Sequence, residues 1–339
     1  MRVTNSMMVS NYLNNLNTSM NKMSNLQGQL ATNRKYMHIS DDPVSLIYSQ
    51  QARAKLHSLD IYQTNVQTGQ EWLTQTETAV MELNVLIQTA YEQTIDASTD
   101  VKSDSDRQAI AQYVGQLRDQ VLSVLNSTYG NKYVFGGYNT TGYVDGGQLK
   151  PPFAYVEDPV TGARTLTYND IDIANPATPA DAAALAAIVG DEVNLDMGAG
   201  IRMDVSMNGV GVMNFTQPST PPVDWNIYNM LDELARTMNT AVPGDEIVSK
   251  IQAFIKPLQD AQSHVLALTA ELGGKANRLD LMASRYEQDT INYTQMMSDA
   301  EDADQAEVIM RFKMAEAVYQ AALATGSYVI QPTLMDFLK

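Results

Sequence analysis

Three histidines, His38, His57 and His264, are the side chains best suited to proton transfer or metal binding, and they lie too far apart to follow any ligand spacing. Unclustered histidines are ordinary structural or surface residues far more often than ligands. Gly273-Gly274-Lys275 has the outline of a phosphate loop, but Thr269 stands five before Gly274 and Ala276 follows the lysine. Both the first glycine and the magnesium-binding hydroxyl are missing, so a helix interruption is the better account. The acidic stretch 100–106 and the pair Asp170 and Asp172 lack the spaced ligands and closing glutamate of a calcium loop, and read as solvated loops and helix caps. No cysteine and no Gly-x-Ser-x-Gly element is present. The sequence therefore offers no catalytic, cofactor-binding or metal-binding residue, and the expectation is a protein that is not an enzyme.

Composition narrows the alternatives. The 339 residues carry a formal net charge of -17 and are 44% hydrophobic, enough for a core and somewhat long for one compact domain. Such a charge opposes binding to nucleic acid or to an anionic membrane surface. No apolar run approaches the ~20 residues of a membrane span, and the asparagine-rich N-terminus has no apolar core of a secretory signal. This predicts a chain that is cytoplasmic or exported without a cleaved signal.

What remains is helical patterning. Apolar residues recur at alternating intervals of three and four at Ile251, Phe254, Leu258, Ala261, Val265, Leu268 and Leu272, then at Leu279, Met282, Tyr286, Tyr293 and Met296. A matching seam runs through Leu59, Tyr62, Val66, Gly69, Leu73, Thr76, Val80, Leu83, Ile87 and Ala90. A seam covers only a narrow stripe of each helix and must lie against another long helix. The predicted fold is mainly α: a long antiparallel helical bundle or coiled coil formed by the N- and C-terminal segments, with a small β-rich inserted domain.

Along the chain, a first helix carries Val9, Leu13, Leu16, Met20, Met23 and Leu30, with Gln27 and Arg34 spoiling its seam. Its many asparagines are poor helix formers, so packing must supply its helicity. Ser40-Asp41-Asp42-Pro43 signals the start of a helix reaching to about Ser98. A third is expected at about 107–128, with Ile110, Val114, Leu117, Val121, Val124 and Thr128 on one face. Between 132 and 222 alternation replaces the helical period, at Phe153 and Tyr155, Leu166 and Tyr168, Val193, Leu195 and Met197, and Ile201, Met203 and Val205. A helical interruption at 181–189 and a turn at Asn208-Gly209 are expected there. Asp224 is then read as capping a helix with Ile227, Leu231, Leu234 and Met238, ended by Pro243-Gly244. Pro257 should kink or restart the long C-terminal block. The last helix, about 301–328, is apolar on two faces: Met310, Met314, Ala317, Ala321 and Ala324 on one, Val308, Phe312, Ala315 and Tyr319 on the other. Two apolar faces require two sets of neighbours.

The order of these signals resembles the flagellin superfamily. The matching elements are the asparagine-rich N-terminus, Ser40-Asp41-Asp42-Pro43, Tyr133-Val134-Phe135-Gly136-Gly137, Leu272-Gly273-Gly274 with Asn277-Arg278-Leu279, and Glu301-Asp302-Ala303-Asp304. They cover about the first 140 and last 115 residues. Asp41-Asp42-Pro43-Val44 and Tyr133 to Gly137 favour the hook-filament junction branch over filament flagellins. The resemblance implies a structural, secreted component of the bacterial flagellum that joins hook to filament. It implies a terminal polymerisation domain (1–40 and 300–339), a helical rod (41–131 and 223–299) and an outer insert (132–222). The implied partners are copies of itself, hook-associated protein 1, flagellin, and an export chaperone on the C-terminal helix. Assembly contacts are expected from Val9, Leu13, Leu16, Met20, Met23 and Leu30 and from Met310, Phe312, Met314, Val318, Tyr319 and Leu323. A filament flagellin is the alternative, and a cytoplasmic coiled-coil scaffold is a more distant one.

Overall fold

The computed structural model describes residues 5–99, 102–137, 139–190, 193–217, 223–240 and 244–329. Asp100, Pro222 and Pro243, on which parts of the sequence reading fell, lie outside them. The chain divides into two compact units, Met1–Asp60 with Tyr286–Lys339, and Ile61–Arg285. The helices in order are α1 (Asn5–Thr32), α2 (Pro43–Ala97), α3 (Asp104–Leu125), α4 (Pro179–Gly190), α5 (Gly209–Met213), α6 (Ile227–Asn239), α7 (Gly244–Gln252), α8 (Ile255–Glu301) and α9 (Gln305–Val329).

The start of α2 follows from two residues. Pro43 occupies the first helical position, and Asp42 Oδ1 accepts the free amides of Val44 (3.2 Å) and Ser45 (3.0 Å). In the second unit the predicted seams are both buried: Val66, Leu73, Val80, Leu83, Ile87 and Ala90 on α2, and Leu258, Ala261, Val265, Leu272 and Leu279 on α8. Each valine, leucine or isoleucine among them that is removed from water contributes about 1.5–3 kcal/mol. Gln70 donates to Asp280 at 2.7 Å and Gln259 to the Tyr91 hydroxyl at 3.0 Å. The two contacts are separated by 21 residues on each helix, three heptads, so the antiparallel seam runs between them without a slip. Gly69 is tightly hemmed in on this seam, where a Cβ would meet Met197 Cε at 2.9 Å and Leu279 Cδ1 and Val205 Cγ1 at 3.3 Å. On α8 the seam stays covered as far as Tyr286, with Leu268 and Met282 half-buried, while Met296 is exposed.

The β-rich segment consists of antiparallel hairpins. Phe153–Glu157 pairs with Arg164–Tyr168, which Ile171–Asp172 extends, and Asn194–Gly198 pairs with Ile201–Asp204. Phe153, Leu166, Tyr168, Met197, Met203 and Val205 are all buried. Tyr133 to Gly137 supplies the foundation: Val134 and Phe135 are fully buried, and Gly136 O accepts the Tyr168 hydroxyl at 2.7 Å. Beneath this segment a buried ion pair joins α3 to α6, between Arg118 and Asp232, whose other oxygen accepts Arg164 N and Arg236 Nε, each at 3.0 Å.

Several boundaries differ from expectation. The third helix begins at Asp104, because Ser103 and Asp106 form a reciprocal capping box, and ends at Leu125, leaving Thr128 to a short strand. Asn208 is not the first residue of a turn: its side chain caps α5. The cap of α6 is Asn226, whose Oδ1 accepts Tyr228 N and Asn229 N; Asp224 is held in a strand and accepts the Thr216 hydroxyl. Gly273-Gly274 does not interrupt α8, and Lys275 beyond it pairs with Asp204 (2.8 Å) and Glu271 (3.2 Å). The break falls instead at Ala253-Phe254, and Pro257 sits in the first turn of the restarted helix, where its missing N–H costs no helical hydrogen bond. The calcium candidates have local roles as well: Asp172 Oδ1 accepts Ala174 N and Asn175 N, and Asp170, with a positive φ, turns the hairpin.

Candidate assembly surface of the terminal helices

α1 and α9 lie antiparallel within the first unit. Leu26, Val308 and Ala315 form a small buried cluster, with Leu30, Ala303 and Phe312 packed around it. Nearer the N-terminus, the Tyr12 hydroxyl donates to Ala322 O at 3.0 Å. Gly326 faces the same ring so closely that a Cβ there would stand 2.1 Å from the Tyr12 oxygen. The seam of α1 runs through Val9, Tyr12, Leu16, Ser19, Met23, Leu26 and Leu30, none of them exposed. It therefore departs from the predicted line: Leu13 and Met20 stand off it and are exposed, and Gln27 and Arg34 do not spoil it. Tyr12, Leu26 and Gly326 were not legible as contact residues, since Leu13 and Met20 match an apolar heptad better than Tyr12 and Ser19 do.

On α9 the two predicted faces separate. Val308, Phe312, Ala315 and Tyr319 turn towards α1, and the Tyr319 hydroxyl donates to Met20 Sδ at 3.8 Å. Met310, Met314, Val318 and Leu323 are exposed, Met314 at 58% and Val318 at 61%. A groove of about 480 Å³ opens beside them, lined by Ser19, Lys22, Leu26, Arg311, Met314, Ala315 and Val318.

The base of the pair is held by a charged clasp. Glu301 ends α8 rather than opening the last helix, and α9 starts at Gln305 after Asp304 caps Ala306 and Glu307. The buried Glu301 carboxylate accepts Arg53 Nε at 2.8 Å, Arg53 Nη2 and the Ser49 hydroxyl, while Arg34 Nη2 stands 3.7 Å away. Lys35 N donates to Glu301 O at 2.7 Å and Ala303 N to Asn33 O at 3.0 Å, tying the end of α1 to the α8–α9 junction. The Arg53 guanidinium, then the Ser49 hydroxyl, hold the Glu301 carboxyl below the usual carboxylate range against the opposing effect of burial. Of the histidines, His38 and His57 are exposed on the first unit, and His264 in the second contacts Gly211 O at 3.1 Å and stacks on Phe215.

A bacterial flagellin N-terminal helical region matches residues 3–140. Over 96% of the chain and 96% of the relative, the sequence is 25% identical to flagellar hook-associated protein 3 of Salmonella typhimurium. Residues 3–140 are therefore similar to a flagellin N-terminal region, and the whole length is similar to a hook-associated protein. A flagellin of Clostridium tyrobutyricum is also 25% identical, over only 44% of this chain and 37% of that protein. The fold is similar to the solved flagellar junction protein FlgL of Legionella pneumophila, with a TM-score of 0.54 and 12% identity over 76% of this chain and all of that one. None of the described helices is long and apolar enough to cross a membrane.

Proposed function

We propose that this chain is a flagellin-superfamily member and a non-enzymatic component of the bacterial flagellum that joins hook to filament by helix-on-helix assembly of its terminal segments. The observation that carries this reading is the open face of α9: α1 covers one of its apolar sides, and Met310, Met314, Val318 and Leu323 are left for another subunit. Residues 1–40 and 300–339 then polymerise, 41–131 with 223–299 form the rod, and 132–222 faces outward. The assembly is a ring or one-start helical array of copies, meeting hook-associated protein 1 on one side and flagellin on the other. Before assembly an export chaperone shields the C-terminal helix, and the chain leaves the cell without a cleaved signal. Similarity over the full length to hook-associated protein 3, against part-length similarity to a flagellin, supports the junction role over the filament role.

Electron microscopy of cells lacking this chain tests the reading. Hooks without filaments, with flagellin shed into the medium, are expected. Full-length filaments on the mutant cells would overturn it, and long filaments grown from the purified, seeded chain alone would favour a flagellin.

A further inference from the structure

Methionine is unevenly divided between the two units. In Ile61–Arg285, Met197, Met203, Met213, Met230 and Met238 are buried, and Met81 is the exposed exception. In the terminal unit Met7, Met8, Met20, Met37, Met296, Met310 and Met314 are all exposed. Five of these lie on the paired terminal helices, and three of the five, Met20, Met310 and Met314, stand where α1 and α9 pair or on the open face of α9. Met20 receives the Tyr319 hydroxyl, Met310 and Met314 stand one turn apart on the open face of α9, and Met314 also lines the groove together with Lys22 and Arg311.

We propose that Met20, Met310 and Met314 are a reversible modification site, oxidised to sulfoxides by hydroperoxides, and that this switches off association of the terminal helices. The second half rests on the assembly reading above. In the step itself the thioether sulfur attacks one peroxide oxygen. The S–O bond forms as the O–O bond breaks, and the departing hydroxide takes up the remaining proton as water. Sulfur gives up two electrons and the peroxide gains them. Exposed thioethers react without unfolding, whereas the buried methionines of the second unit are shielded. The product carries a strong acceptor where an apolar contact must form, so each sulfoxide has to be desolvated for a partner to dock.

The full chain would be treated with dilute hydrogen peroxide, quenched, digested and mapped by mass spectrometry, with sedimentation velocity and circular dichroism on the undigested sample. Oxygen should add at residues 20, 310 and 314 well before Met197, Met213 or Met230, with helicity unchanged. Self-association should weaken about ten-fold, the effect of some 1.4 kcal/mol at the contact, and methionine sulfoxide reductases should restore it. A triple variant, Met20→Leu, Met310→Leu and Met314→Leu, should associate and stay insensitive to peroxide. Equal or earlier oxidation of the buried methionines overturns the site, and undiminished association of the oxidised chain overturns the switch. Equal peroxide sensitivity of the triple variant also overturns the switch. A native chain that never self-associates overturns the assembly reading as well, a result separate from the order of oxidation.

Discussion

Arg53 and Glu301 meet side on, guanidinium to carboxylate, with Nε 2.8 Å from Oε1 and Nη2 on Oε2. This pair and the Ser49 hydroxyl hold the start of α2 against the end of α8 inside the terminal unit. The carboxyl is held below its ordinary range, so its contribution is present above the ordinary carboxylate value and is lost as pH falls through the lowered native value. Thermal unfolding followed from neutral pH down to about pH 3 should show the native chain losing stability through the carboxylate range. Glu301→Gln should start about 1–3 kcal/mol lower and change less with acid. Parallel acid profiles for the two proteins would refute this role.

Asp232 is the buried acceptor of three donors, Arg118, the Arg164 amide and Arg236. Asp232→Ala strands the buried Arg118 guanidinium beside Asp119 alone and should cost about 3–5 kcal/mol in urea unfolding. Asp232→Asn keeps an acceptor and should cost less. A loss under about 1 kcal/mol for the alanine variant would show that water replaces the pair.

Gly69 separates two effects of size. Alanine gains up to about 1 kcal/mol in a helix interior but sets a methyl 2.9 Å from the flexible end of Met197, so the net change should be small. Leucine at the same place must displace Leu279 and Val205 together and should cost about 1–3 kcal/mol or more. Denaturant midpoints of the two variants check the ordering.

Gly326→Ala should loosen α1 from α9, since the new methyl occupies the position of the Tyr12 hydroxyl. Faster protease cleavage within residues 5–32 is expected, with the second unit intact. Combining Gly326→Ala with Tyr12→Ala should cost less than the sum of the two single changes, because the second removes the ring that clashes. Strict additivity would mean the helices already sit farther apart at this point.

Much of this architecture is legible in the residues. Pro43 after a capping aspartate and two long heptad runs are local signals, and α2 follows them closely, as α8 does from Ile255 onward. The register of α1 departs from the sequence pattern, because hydrophobicity alone prefers Leu13 and Met20 to Tyr12 and Ser19. The packed seam instead uses a hydroxyl that reaches a carbonyl on α9. The caps at Asn208 and Asn226 were missed for a related reason: Asn and Asp compete for the same role, and strand pairing withdrew Asp224 from it. Glu301 gave no sign of burial, since its three partners come from residues more than 240 positions away and only the folded chain brings them together.

The lockstep between Gln70–Asp280 and Tyr91–Gln259 has a bearing on how such chains can diverge. A lone deletion in either helix between these points would rotate everything beyond it by roughly 100° and swing buried side chains into solvent. Only gain or loss of whole heptads, matched on both strands of the pair, leaves the zipper meshed. Natural length variation among relatives should therefore collect in the hairpins between residues 132 and 222, which can lengthen or shrink like beads while the toothed shafts keep their measure.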